Sequence, residues 1–183
     1  GIPFPEPKVR LDQMEEGVQV LRGLLHQDVT TFDGRWFQLH EARNEPRPVQ
    51  TKLPIWVGGG GEQRTLKIAA KYAHGWNVPF IAPEDFAHKC SVLDQHCETV
   101  GRDPREIRRA INVGLAFTED SLQQQFGQIA DFVRPGVLTG TPEQVIDRIG
   151  QYVEAGADQV NIALRAPFHL DLLEQFSQAL HLS

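Results

Sequence analysis

The sequence predicts an α/β fold of about four parallel βα units, with a β-hairpin inserted ahead of them. Three observations carry this. Beyond residue 53, short apolar runs alternate with longer segments of helical periodicity, the pattern of right-handed βαβ crossovers in a parallel sheet. The 183 residues, 40% hydrophobic and 23% charged, are enough to enclose one ordinary core. A complete (β/α)8 barrel takes about 250 residues and eight units, so four units amount to half a barrel.

The elements follow in order. Gly1-Ile2-Pro3-Phe4-Pro5-Glu6-Pro7 holds too much proline for a helix or strand and leads into a helix over 8–26. Its apolar residues Leu11, Met14, Val18, Leu21, Leu24 and Leu25 recur at helical spacing, so one face is buried. Two β-prone runs, 29–32 and 35–39, flank Asp33-Gly34, a pair suited to a type I′ hairpin turn. Residues 41–52 read as a connecting loop. The chain is thus a single domain, 1–183: a leading loop and helix (1–28), a hairpin and loop (29–52), and βα units (53–183).

Within the last stretch the expected order is strand 54–58, helix 62–74, strand 75–78 and helix 83–100, stopped by Gly101. Strand 110–117 and a less regular helical stretch over 121–133 come next. Thr141-Pro142-Glu143-Gln144 supplies a capping Thr, a Pro at the first helical position and a Gln at the capping-box position. That helix ends near residue 155 at Gly156, ahead of a strand over 159–164 and a closing helix over 170–182.

One stretch concentrates the signals of a site. Ile55-Trp56-Val57 runs into Gly58-Gly59-Gly60-Gly61, and Glu62-Gln63-Arg64-Thr65 opens the next helix. Residues without Cβ let the backbone turn sharply and bring bare N–H groups against a ligand, and a helix N-terminus aims further donors at the same spot. A phosphate suits it. The loop is no Walker site, because Gly61 is followed by Glu62 and not by Lys and Ser or Thr. It is no dinucleotide fingerprint either, because Gln63 or Arg64 stands where the third Gly belongs. A plain strand-to-helix turn is the alternative reading. In the helix after the loop, Arg64, Lys67 and Lys71 form a basic stripe, read as solvated, with Arg64 near enough to reach a bound anion.

The string from Pro54 to Asn77, PIWVGGGGEQRTLKIAAKYAHGWN, resembles the matching stretch of the luciferase-like flavin- and deazaflavin-dependent oxidoreductases, the deazaflavin branch above all. Similar agreement appears in Gly1-Ile2-Pro3-Phe4-Pro5 with the helix after it, in Phe32-Asp33-Gly34-Arg35-Trp36-Phe37, and from Gly140 to Asp158. His74 departs from the pattern, where the family usually has Asp. The resemblance implies the C-terminal half of a TIM-type barrel, with Gly1 falling just after the fourth strand. It implies an oxidoreductase that holds coenzyme F420, a deazaflavin, or alternatively FMN, and passes a hydride to or from a small organic substrate. Carried over residue by residue, Gly58, Gly59, Gly60 and Gly61 with the amides of Glu62 and Gln63 hold the phosphate, and Trp76 and Asn77 line the same mouth. The family's acid/base residues lie mainly in the half not represented, so the catalytic residues are unknown. A non-catalytic half-barrel, a fragment or an assembly module that keeps an anion pocket, is the alternative function.

Other classes are disfavoured. A formal net charge of −6 without a Lys/Arg block argues against a nucleic-acid partner. No apolar run nears the roughly 20 residues of a membrane span, and no signal-peptide pattern opens the chain, so it reads as cytoplasmic. Cys90 and Cys97 lie seven apart on one helix, roughly 10 Å, too far to bridge. With His88 and His96 nearby their spacing matches no standard metal pattern, and no metal site is assigned. His26, His40, His169 and His181 read as surface or helix-end residues. An unclosed parallel sheet leaves strand edges and an apolar inner face uncovered, which predicts self-association into a homodimer or higher oligomer.

Overall fold

The computed structural model describes residues 1, 3–166, 168 and 170–180. Helix α1 (Pro7–His26) opens with Pro at its first turn. It packs against both the hairpin and the helix that follows the glycine loop, so its buried face is broader than one stripe. Val18, Val20 and Gly23 are the most buried positions, whereas Leu21, expected inside, is 50% exposed. Gly23 is required by a close approach: a Cβ there would lie 2.5 Å from Thr30 Cγ2.

Strands β1 (Thr30–Asp33) and β2 (Gln38–Ala42) form the expected antiparallel hairpin, but not through the expected turn. Asp33 pairs with Gln38, leaving residues 34–37 as the loop, and Gly34 does not take the positive φ of a type I′ turn. The loop is organised from outside by α1. The Glu16 carboxylate accepts hydrogen bonds from the backbone N–H groups of Arg35 (3.0 Å), Trp36 (2.7 Å) and Phe37 (3.2 Å). Burial acts to raise the Glu16 pKa, and the three donors outweigh it, so the carboxyl sits below its ordinary value. A side chain at Gly34 would collide with that carboxylate, which explains the glycine without a special φ.

The remaining strands are β3 (Trp56–Gly58), β4 (Gly75–Pro79), β5 (Arg108–Leu115), β6 (Val137–Leu138) and β7 (Gln159–Ile162). All their pairings are parallel. The order is β3-β4-β5, with β5 also pairing β7 through residues 110–113 and β6 through residues 114–115. The sheet therefore holds five strands among the described residues, one more than expected. The extra member, β6, is two residues long, too short to show a period. Helices α2 (Thr65–Tyr72), α3 (Pro83–Val100), α4 (Glu119–Phe126), α5 (Ala130–Val133), α6 (Pro142–Glu154) and α7 (Leu170–Ala179) connect and cover the strands. The stretch expected as one irregular helix over 121–133 divides at Gly127, whose φ of +49° ends α4. Thr141 and Gln144 complete the predicted capping box of α6. His169, His181 and the last residues of the expected closing helix lie outside the described residues.

Strand alternation separates two faces. One carries Val57, Trp76, Val78, Ile111 and Val113, all buried, and joins Leu66, Phe86, Leu93 and Tyr152 from the helices in the main core. The other carries Trp56, Gly58, Asn77, Ala110, Asn112, Gln159 and Asn161. This inner face is mostly amide and glycine, not the apolar surface expected from the sequence. Trp56, 40% exposed, is its one large aromatic residue, and its ring lies against Gly75, where a Cβ would collide with it.

Candidate functional site

The glycine loop leaves the C-terminal end of β3 and enters α2. Gly59 takes a φ of +116°, a left-handed value that favours glycine. Its N–H donates to the Asn77 carbonyl (2.9 Å), and its carbonyl accepts from the Trp76 indole Nε1 (2.8 Å). Both polar groups of Gly59 are thus tied to β4, which sets the direction of the loop. Helix α2 begins at Thr65, three residues later than expected, after a turn in which Leu66 N–H reaches the Gly61 carbonyl at 3.0 Å. Among the described residues, no hydrogen bond takes up the N–H groups of Gly60, Gly61, Glu62 or Gln63. Four consecutive backbone N–H groups just ahead of α2 are therefore unengaged.

Glu62 is clamped by α3. Its carboxylate accepts from Lys89 Nζ (2.5 Å) and His88 Nε2 (3.1 Å), and its backbone carbonyl accepts from His96 Nε2 (2.8 Å). The Lys89 hydrogen bond, against the opposing effect of burial, keeps the Glu62 carboxyl below its ordinary value. His88 and His96, which sequence spacing left without a role, thereby hold the loop. Lys89 also passes close to Gly60, with its Cε 3.8 Å from where a Cβ would stand.

Two expected residues are placed differently. Trp76 was expected to line the mouth, yet it is completely buried and stacks on Phe86 at 5.5 Å and 12°. It supports the loop from behind through its bond to Gly59 and cannot face a ligand. Arg64 was expected within reach of an anion, but it pairs with Asp12 (2.8 Å) and Glu15 (3.4 Å) of α1, while Lys71 also binds Glu15 (2.7 Å). Part of the presumed solvated stripe is thus a clamp between α1 and α2.

Asn77 stands in register with Gly58 on the inner face, where Gly58 contributes no side chain. Its amide exchanges hydrogen bonds with Asn112 (3.0 and 3.2 Å), and Asn161 donates to Asn112 (2.9 Å). Sequence reasoning did not single out Asn112 or Asn161. The available signal was one amide interrupting each of two apolar strands, Ala110-Ile111-Asn112-Val113 and Val160-Asn161-Ile162. Cys90 and Cys97 are free and buried, and burial pushes the Cys90 thiol up to about 11, so it is no nucleophile at neutral pH. Among the described residues, no cluster of His, Cys, Asp and Glu is arranged to hold a metal, and no helix is long and apolar enough to cross a membrane.

Fold and loop define an α/β protein whose parallel sheet opens a glycine turn at its C-terminal strand ends. More narrowly, the chain belongs to the luciferase-like monooxygenase family, whose sequence model matches residues 1–125. An F420-dependent glucose-6-phosphate dehydrogenase of Kineococcus radiotolerans is 31% identical over 125 residues, 67% of this chain and 36% of that protein. A protein of the same description from Intrasporangium calvum is 24% identical over 97% of this chain and 62% of its own length. The 5,10-methylenetetrahydromethanopterin reductase of Methanolobus tindarius is 25% identical over 86% of this chain and 46% of its own. Among solved structures, an F420-dependent secondary alcohol dehydrogenase in complex with an F420-acetone adduct superposes with a TM-score of 0.85 at 18% identity, over 97% of this chain and 63% of that one. The family read from the sequence is therefore borne out, and the chain spans 36% to 62% of the length of these curated relatives.

Proposed function

We propose that this chain is the phosphate-binding, C-terminal half-barrel of an F420-dependent oxidoreductase that transfers a hydride between the coenzyme and a small organic substrate. The observation that carries the reading is the run of four unengaged N–H groups from Gly60 to Gln63 at the entrance of α2. The F420-dependent relatives support the coenzyme class, and FMN offers the loop the same phosphate chemistry. When bound, the coenzyme supplies the hydride chemistry. The chain's own residues bind and orient: the four amides receive the phosphate, the clamp from His88, Lys89 and His96 holds Glu62, and Trp76 fixes Gly59. The inner-face amides of Asn77, Asn112 and Asn161 offer fixed donors and acceptors beside Gly58.

Gly60→Val tests the loop. A Cβ at this position would rest 3.4 Å from Val78 Cγ2, so the fold accommodates it, and the branched methyls then cover the neighbouring amides. Affinity for the deazaflavin, followed by its visible absorption after ultrafiltration, is expected to fall about tenfold or more, which is 1.4 kcal/mol or more. The far-ultraviolet circular dichroism should not change. Equal affinity in both proteins would reduce the loop to a turn. A parent chain that stays colourless after incubation with either coenzyme would favour the non-catalytic module.

Self-association belongs to the same proposal. Among the described residues β3 and β7 each pair on one side only, so both present a strand edge to a second copy. The polar inner face makes edge pairing, not apolar burial, the favoured contact. Light scattering at micromolar concentration should report a dimer or larger species, and a monodisperse monomer would refute this part.

A further inference from the structure

At the opposite end of the strands from the glycine loop lies a cavity of about 790 Å³. Its walls come from the end of α1, the loop at 51–52, the end of α2, and the approaches to β4 and β5. They supply four cations, Arg22, Lys52, Lys71 and Arg102, with His26 and His74, against a single carboxylate, Glu106. This concentration of positive charge occurs on a chain of net charge −6. Two of the cations are already committed: Lys71 to Glu15 at 2.7 Å, and Arg102 to Glu106 at 3.1 Å and to the Ala70 carbonyl at 3.0 Å. Arg22 and Lys52, both exposed, have no carboxylate partner among the described residues.

The two imidazoles are fixed by the backbone. Ile55 N–H donates to His74 Nδ1 at 3.1 Å, which places the proton of the neutral ring on Nε2. His26 Nε2 is bonded to the Leu53 carbonyl at 2.9 Å, and the two rings meet edge to face at 5.5 Å. Burial, followed by the charges of His26, Arg102, Arg22 and Lys52, holds His74 below its ordinary pKa. The other polar groups at the cavity, Gln27, Thr51, Tyr72 and Glu106, leave its character basic.

We propose that this cavity is a binding site for a small organic or inorganic oxyanion carrying two or more negative charges, a phosphate ester or a polycarboxylate. Arg22 and Lys52 supply the unpaired charge, Arg102 supplies guanidinium donors beyond those bound to Glu106 and Ala70, and His74 supplies an Nε2 donor. The volume is within the roughly 300–1,000 Å³ of small-molecule pockets and far exceeds that of a single phosphate. Because the Ile55 N–H already occupies Nδ1, His74 meets the anion as a neutral Nε2 donor, and the charge that holds the anion comes from the arginines and the lysine.

The test is calorimetric titration with inorganic pyrophosphate and, separately, with citrate at low ionic strength. It compares the parent chain, the double variant Arg22→Gln/Lys52→Gln and the loop variant Gly60→Val. The double variant should lose about tenfold or more of its affinity for at least one probe. Gly60→Val should retain that site, which separates it from the glycine loop whatever becomes of the coenzyme reading. Preference for pyrophosphate or for citrate assigns the phosphate or the carboxylate class. Equal affinities of the parent and the double variant for both probes, absence of binding in the parent, or loss of binding in Gly60→Val alone would each overturn the proposal.

Discussion

Trp76→Ala is expected to lower stability by about 3–5 kcal/mol, the range for emptying a large aromatic site in a core. The side chain is completely buried and stacked on Phe86, which in turn meets Tyr152 edge to face. Its loss also removes the indole donor to Gly59, and with it half of what ties the loop to β4. Trp76→Phe separates these contributions. The smaller ring retains much of the packing but leaves the Gly59 carbonyl without its donor, a deficit of about 1–3 kcal/mol if water does not replace it. Urea unfolding reads the stability of both variants, and coenzyme titration reads the loop. If Trp76→Phe binds coenzyme as the parent does, the indole bond contributes packing and nothing to the geometry of the loop.

Gly136→Ala should be the most damaging single-methyl change in the chain. The added Cβ would overlap the Cα and carbonyl carbon of Phe80 and lie 2.7 Å from Ile81 N. These are backbone atoms, and no rotamer change relieves the overlap. Phe80 already holds a φ of +54° and packs against the small core formed by Ala116, Leu122, Phe126, Ala130, Val133 and Val137. A shift of that turn disturbs the whole cluster. The expected cost is about 3 kcal/mol, equivalent to roughly 6–12 °C in Tm for a chain of this size. Gly150→Ala is the control, since nothing lies within 4 Å of its Cβ position in α6 and helix propensity favours Ala by about 1 kcal/mol. Similar melting temperatures for the two variants would refute the close approach at Phe80.

Local chemistry was legible in the sequence wherever neighbours along the chain decide the outcome. Helix α3 begins at Pro83 and ends at Val100, with Gly101 left-handed at a φ of +71°, as its residues predict. Thr141 and Gln144 cap α6 because both partners lie within one turn. What the sequence did not disclose depends on residues far apart in it. The hairpin loop takes its shape from Glu16, some twenty positions earlier, and Arg64 is drawn from the loop by acids 49 and 52 positions away. The candidate site divides in the same way. The glycines and their helix entrance could be read directly, whereas the burial of Trp76 and the bonds of His88 and His96 to Glu62 required the packing of α3 against the loop. The amides of Asn112 and Asn161 were visible as residues, but their mutual contact exists only once β5 and β7 lie side by side.

That contact bears on how the strands choose their alignment. Short, mostly apolar parallel strands have few means of distinguishing one pairing from the pairing one residue along, which turns every side chain to the opposite face. Asn112 lies directly opposite Asn161 and two positions diagonal to Asn77, and the three amides bond in a chain across β4, β5 and β7. A slip of β5 by one residue would drive Asn112 into the layer of Trp76, Ile111 and Val113 as an unsatisfied amide, and would strand Asn77 and Asn161 without their partner. The amides thus act as an alignment key, separating the native pairing from its nearest competitors during assembly of the sheet.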